Sequence, residues 1–359
     1  MHFLLFQKNL QSNGIASEIY SLINNEDVRP TANLVISKST AYEYLNNSKP
    51  NLEKLTTQYY ETFSITGRFT GYFSNITIGD FYNDLSATCH QPTAILGGLN
   101  STARKEDSQN SGQSESGQGN SGQGNSSRGT SGGSGSSSGG SSESSQTSNS
   151  TGSDKISESP NVVTNPEELT AGTSSIVGKR GTENFGIAVF KEDKFRGELT
   201  AVESMCHLLI QNRVDSCIVS IDNPLLEKEA EKMELQIFPR QNSKINVTIE
   251  NDTPHISVNL KLHADIMTLD KDVEYETNEV LSKISNATKD YLTEQINNYL
   301  KKVSTEYETD IDNFCSKATA HFLTLSDWEN FSWNEKFKNA TFDVKIDVNV
   351  LSTMLVTKT

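Results

Sequence analysis

The sequence predicts an α+β fold: a multidomain, mixed α/β chain whose C-terminal part is an antiparallel sheet of βββαβ order, packed by a long helical layer. Three observations predict it. Apolar residues alternate with period 2 in three neighbouring stretches after residue 231 and in a fourth after residue 340. A helical stripe over residues 275–322 lies between the third and the fourth. Ahead of both, residues 104–155 contain no Ala, Val, Ile, Leu, Met, Phe, Trp, Tyr or Cys, and they follow a helix-rich region. The expected division is an N-terminal α/β domain over 1–98, a disordered Ser/Gly-rich linker over 99–180, a hairpin–helix–strand unit over 181–230 and a C-terminal α/β domain over 231–359.

In the first domain, Ile15, Ile19, Leu22 and Ile23 share one helical face, closed by Asn24, Asn25 and Pro30. Leu34, Val35 and Ile36 form a short apolar run typical of a buried strand. A helix capped by Ser39 or Thr40 follows. Leu52, Leu55, Tyr59 and Phe63 space a further helix, and Ile78, Phe81, Tyr82 and Leu85 another before Pro92. The Gly pair in "ILGGLN" reads as a weak phosphate-loop candidate and a good loop exit. The Ser/Gly/Gln/Asn tract beyond it cannot bury enough apolar surface to offset its ordering entropy. About 50 such residues span roughly 40 Å in root-mean-square terms, so the tract tethers but does not orient.

Residues 184–200, "NFGIAVFKEDKFRGELT", give two apolar runs joined by a polar turn at Lys191–Lys194. Ile187 and Val189, with Phe185, occupy one face of the first strand, and Phe195 and Leu199 sit on its partner. Thr200 and Glu203 stand at capping-box spacing before a helix with Ala201, Met205, Leu208 and Leu209 on its apolar face. "DSCIVSI" reads as the next strand. In the last section the alternating positions are Met233, Leu235 and Ile237; Ile245, Val247 and Ile249; then Ile256 through Ile266; and finally Phe342, Val344, Ile346, Val348 and Val350. One buried and one solvated face follow from that period. The helical stripe runs through Ile284, Ala287, Tyr291, Ile296, Tyr299, Val303, Tyr307, Ile311 and Phe314, and it roofs the buried face.

Composition narrows the function. The formal charge is −15 over 359 residues, with no basic stripe interleaved with aromatics, which excludes a phosphate-backbone partner and hence nucleic acid. No stretch is long and apolar enough for a membrane helix, and "MHFLLFQKN" lacks the basic start and cleavage site of a signal peptide. The four cysteines, Cys89, Cys206, Cys217 and Cys315, show no CxxC spacing. They read as small buried hydrophobes; a disulfide among them is not legible from spacing. Cys206 and His207 are adjacent on a helix and so do not face each other. His255 and His263 share one strand without further ligands. Glu192–Asp193 and Asp310–Asp312 read as solvated carboxylates. No catalytic, cofactor-binding or metal site is expected, and the protein is expected not to be an enzyme. Trp328, Phe331 and Trp333, with Phe337, form either a plug that anchors the loop before the last strand or an exposed partner-contact patch.

The hairpin stretch "FGIAVFKEDKFRGELT" resembles the G-x-AVFK-x-DK-x-x-G-x-L pattern of the C subunits of spore germinant receptors, the GerAC-like family. Gly186, Ala188, Val189, Phe190, Lys191, Asp193, Lys194, Gly197 and Leu199 match it. Residues 14–45, 245–266 and 310–350 are similar to further family segments, so the resemblance covers about residues 5–98 and 180–356, in family order. It implies a lipoprotein of three mixed α/β domains, held at the outer face of the spore inner membrane. There it would work without catalysis beside two integral-membrane receptor subunits, in nutrient-triggered germination; a small-molecule germinant is implied but not named. Two departures stand out. No lipid-anchor Cys precedes the first matched segment, so the first domain is expected to be N-terminally truncated, and the chain as given is expected to be soluble. The Ser/Gly tract is not a usual family feature. The alternative reading is a secreted or surface-attached adhesion-type module with the tract as spacer. In either case the hairpin is expected to be framework, with Gly197 allowing a backbone conformation or a close approach that a side chain would block, and with Phe190 and Phe195 filling a small core.

Overall fold

The computed structural model describes residues 3–7, 14–48, 65–100, 166–174, 181–226, 231–268, 275 and 277–351. The helix expected over 52–63 and most of the Ser/Gly-rich tract lie outside the described residues.

The first sheet is assembled from β1 (Phe3–Gln7), α1 (Ala16–Ile23), β2 (Asn33–Ser37), α2 (Ala41–Asn47), α3 (Ile78–Ser86), β3 (Thr93–Leu99), β4 (Thr182–Lys191) and β5 (Lys194–Leu199). Its strand order is β1-β2-β3-β4-β5. The first three strands run parallel, because helices carry the chain back between them. The last three are antiparallel. Helix starts follow the sequence closely. Thr40 caps α2 in a capping box with Glu43, and Thr77 caps α3 in one with Asp80. Ile15, just before α1, and Ile19 on it are fully buried, and Asn24 ends the helix.

"ILGGLN" is strand β3, not a loop exit. Its glycines serve packing: a Cβ on Gly97 would come within 2.8 Å of Tyr44 and Val35, and one on Gly98 within 2.6 Å of the Ala171 backbone. That backbone belongs to residues 166–174, inside the stretch expected as linker. Here Pro166–Glu168 form a short helical turn and Ala171 is fully buried. The Ala171 amide donates to Phe185 O at 3.0 Å, and the Ala201 amide donates to Leu169 O at 2.8 Å. Composition alone could not show this, since the segment's order comes from a strand and a helix far away in sequence. β3 and β4 are adjacent antiparallel strands, and the Asn100 amide donates to Gly181 O at 3.1 Å. The long polar tract is thus an insertion between two neighbouring strands of one sheet.

β4 is buried on both faces, which explains its unbroken apolar run. Ala188 and Phe190 face α1 and α3, in a core with Ile19, Leu34, Ile36 and Phe81. Ile187 and Val189 face α4 (Ala201–Gln211) and join a larger core that continues into the second sheet. Thr200 and Glu203 close the expected capping box on α4, and left-handed Asn212 ends the helix. The helix is buried nearly all round, because it lies between two sheets and not on one.

The second sheet contains β6 (Cys217–Asp222), β7 (Lys232–Pro239), β8 (Lys244–Glu250), β9 (Thr253–Ile266) and, after α5 (Asn278–Lys301) and α6 (Leu325–Phe331), β10 (Thr341–Leu351). The order is β10-β9-β7-β6, with β8 also on β9. The expected alternation holds along β9, where Ile256, Val258, Leu260, Leu262, Ala264 and Ile266 are buried and the residues between them are not. Each of the valine, leucine and isoleucine side chains among them contributes about 1.5–3 kcal/mol on full burial. β6, β7, β8 and β9 pair antiparallel, but β10 lies parallel to β9, so the sheet is mixed. The reason is the crossover: α5 returns the chain to the end from which β9 started. α5 buries Ile284, Leu292, Ile296 and Tyr299 on the sheet, then loosens into a π-helical turn at Lys302–Glu306. The expected continuous stripe therefore breaks before Tyr307.

Phe190 is fully buried, edge-to-face with Phe81 at 5.1 Å and Phe195 at 5.8 Å. Phe190→Ala is expected to cost about 3–5 kcal/mol in denaturant unfolding of the full chain. A loss under about 1 kcal/mol would show that this aromatic layer does not hold the first sheet to its helices.

Candidate functional site

Chain segments from both sheets converge on residues 307–315. The hairpin β4–β5 supplies one wall. Lys191 Nζ meets Glu308 Oε2 at 3.2 Å. Gly197 lies so close to the Tyr307 ring that a Cβ there would be 2.4 Å from it. Tyr307 OH donates to Glu198 O at 2.7 Å, and Arg196 Nε donates to Tyr307 O at 3.2 Å. The other motif positions are framework. Gly186 has φ +91°, and a Cβ there would stand 2.2 Å from Leu199 O. Ala188, Val189, Phe190 and Leu199 are fully buried. Asp193 O accepts the Ile15 amide at 3.1 Å, while Lys194 is exposed at the start of β5. The expectation of a close approach at Gly197 is met by an aromatic ring from the C-terminal part of the chain.

The Asp310–Asp312 pair is not solvated. Both side chains are buried, at 1% and 2% exposure. Asp310 accepts hydrogen bonds from the Phe314 amide at 3.1 Å, the Cys315 amide at 2.8 Å and Trp333 Nε1 at 3.0 Å. Burial lifts its pKa to about 6, with the Cys315 and Phe314 amides opposing the lift and the Asp312 charge adding to it. Asp312 accepts from Tyr299 OH at 2.7 Å and lies 2.9 Å from His207 Nδ1. A carboxylate only accepts, so His207 Nδ1 carries the hydrogen. Burial, then Asp312, pushes the Tyr299 hydroxyl well up. The sequence signal was present in Trp333, whose buried indole needs an acceptor, but nothing named that acceptor.

A third contact comes from the loop before β3. His90 Nδ1 donates to Asp84 Oδ1 at 2.8 Å, and Nε2 donates to Ile311 O at 3.0 Å. With an acceptor at each ring nitrogen, the doubly protonated ring is the form that fits. Burial lowers its pKa, but the Asp84 hydrogen bond and charge outweigh that, and the net shift is upward. The Gln91 amide donates to Asp310 O at 3.1 Å, and Gln91 Oε1 accepts the Glu192 amide at 2.5 Å. Beside them Cys89 and Cys315 form a disulfide with Cα atoms 6.0 Å apart. Of the four cysteines read as buried hydrophobes, Cys206 and Cys217 are free and buried, while the other two are paired. A bond spanning 226 residues leaves no trace in local spacing.

Trp328, Phe331 and Trp333 are buried at 8%, 8% and 3% exposure and pack with Phe322, Phe337 and Phe342. Their rings form the plug, not an exposed patch. Trp328 and Trp333 also line a groove of about 350 Å³, which Thr88, Cys89, Leu325, Glu329 and Glu335 border.

The arrangement is poor for chemistry. Burial, then Glu203, raises the Cys206 thiol well above its ordinary range, and burial lifts Cys217 to about 12, so neither supplies a thiolate near neutral pH. His255 is engaged with Thr341, and His263 stacks on Phe238 at 4.7 Å. Among the described residues no cluster of three or more His, Cys, Asp or Glu could hold a metal, and no helix is long and apolar enough to cross a membrane.

Comparison with known proteins bears on the whole chain. Residues 1–99 match the family model described as "Spore germination protein N-terminal domain", and residues 185–354 match "Spore germination B3/ GerAC like, C-terminal". The crystal structure of the GerBC protein is similar in fold, with a TM-score of 0.59 at 12% identity, covering 98% of this chain and 79% of that one. No curated protein matches the sequence.

Two outcomes are expected from this geometry. Unfolded without reductant, the chain should expose two thiols to maleimide, and with reductant four; four in both cases would show that Cys89 and Cys315 are not bonded. Second, the raised pKa of His90 means that its contribution to stability is fully present below its ordinary value of 6.5 and is lost as pH rises through the raised one. The melting-temperature gap between the wild type and His90→Gln should therefore narrow on going from acidic to alkaline buffer. A gap that widens would contradict the charged His90 assignment.

Proposed function

The chain belongs to the GerAC-like family of spore germination proteins, and on that premise we propose that it serves as the non-catalytic C subunit of a germinant receptor. In this role it assembles with two integral-membrane subunits at the outer face of the spore inner membrane and contributes to nutrient-triggered germination. The observation that carries the proposal is the pair of family matches, N-terminal then C-terminal, along one chain. Two structural features support it. Asp310, Asp312 and His207, which meet at residues 307–315, face inward and are spent on hydrogen bonds, as suits a scaffold. The Cys89–Cys315 disulfide suits a non-cytoplasmic position, because cytoplasmic thiol pools keep such pairs reduced.

The test is co-expression of the tagged full chain with its two candidate membrane subunits, alongside germination of spores lacking the chain. Co-purification from detergent, and a nutrient response lost in the deletion and restored by complementation, are the expected results. Spores that germinate normally without the chain, or a chain that binds external surfaces but not the subunits, would overturn it.

A further inference from the structure

The aromatic plug carries two leucines that its own packing does not cover. Leu323 is 99% exposed and Leu325 69%. Isolated exposed leucines are ordinary on protein surfaces. These two differ because the chain around them is fixed. Phe322 packs on Trp328 and Phe331 at 5.3 and 5.1 Å, and its amide donates to Thr319 O at 3.1 Å. Thr324 caps α6 through the Asp327 amide at 3.1 Å. With both neighbours held, Leu323 points outward by construction and not by fraying of a loop.

Leu325 also borders the groove lined by Trp328 and Trp333, together with Glu329 and Glu335. Neither glutamate has an ion-pair partner among the described residues. The adjacent cation, Lys336, is turned to Asp252 at 3.2 Å and lies over the Phe331 ring. An apolar ridge thus adjoins a groove with uncompensated negative charge. A surface of this kind is completed by an apolar side chain set beside Lys or Arg. An anionic bilayer does not fit, since the chain carries a net −15 and the groove itself is acidic. The groove is also preformed: the Cys89–Cys315 bond and the Asp310–Trp333 hydrogen bond hold Cys89 and Trp333 of its lining in place, which lowers the ordering cost of binding.

We propose that Leu323, Leu325 and the Glu329/Glu335 groove form the surface on which one integral-membrane receptor subunit docks, through an extramembrane segment that places an apolar residue beside a basic one. The inference rests on the receptor-subunit reading above. Its test uses the tagged full chain co-expressed with both membrane subunits. Leu323→Asp combined with Leu325→Asp, and separately Glu329→Lys combined with Glu335→Lys, should each lower capture of the subunits by about tenfold or more, while the melting temperature stays at the wild-type value. A wild-type chain that captures neither subunit overturns the receptor-subunit reading and this surface with it. Variants that capture as well as the wild type leave that reading intact and sink the surface alone. A benzophenone amino acid in place of Leu323 covers the case in which a variant loses stability. Cross-linking to a membrane subunit supports the docking surface; cross-linking to lipid, or to nothing, overturns it.

Discussion

One buried carboxylate organises the junction of this molecule. Asp310 accepts three hydrogen bonds, from the Phe314 and Cys315 amides and from the Trp333 indole, in a place that water does not reach. Without it, three donors would be stranded in the interior, at a cost of about 1–3 kcal/mol each. Its backbone carbonyl also accepts the Gln91 amide from the loop before β3. The same short segment receives Lys191 and the edge of the hairpin through Glu308 and Tyr307, and His207 and Tyr299 through Asp312. Two sheets, a helix between them and the aromatic plug are therefore fixed against one irregular stretch of chain. The π-helical turn at Lys302–Glu306 is where regular α5 yields to that stretch, so that Tyr307 can reach the hairpin at Gly197.

The long polar insertion is tolerable for a related reason. Its two ends sit on adjacent antiparallel strands and are hydrogen-bonded to each other at Asn100 and Gly181. Loop-closure entropy rises only by about 0.6 kcal/mol for each doubling of loop length, so even a long tract adds little once its ends are pinned. Residues 166–174 do part of the pinning, with Gly172 and Ser174 amides donating to Glu183 Oε1.

Legibility in the sequence followed the range of the forces involved. Local signals were read well: the cap at Ser39 or Thr40, the capping box at Thr200, the turn between β4 and β5, and the alternation of β7, β9 and β10 all depend on residues within a few positions of one another. β3 was missed because a strand buried on both faces loses the period-2 pattern and its Gly pair imitates a loop, and β1 because it is a five-residue edge strand with no alternation to read. The parallel sense of β10 was missed because alternation reports faces but not direction. At the site, the plug and the role of Gly197 were foreseeable, since aromatic density and a glycine in a strand both announce close packing. Asp310, Asp312, His90 and the Cys89–Cys315 bond were not. Each acts through a partner remote in sequence, and a carboxylate destined for burial looks like any other on the page.

This geometry also changes what the two family matches mean physically. The N-terminal match ends at residue 99, with β3, and the C-terminal one begins at residue 185, within β4. These are hydrogen-bonded neighbours in one sheet. Cut there, β3 would present Ala94, Ile95 and Leu96 on an unpaired edge, and β4 would lose the strand that covers it. The hairpin motif carried by the C-terminal match thus completes the sheet begun by the N-terminal one. The groove beside the plug repeats the pattern, drawing Thr88 and Cys89 from one match and its remaining border from the other. Neither half, then, can be expected to present this surface alone. A partner that docked on this surface would therefore read whether the two halves have closed on Asp310.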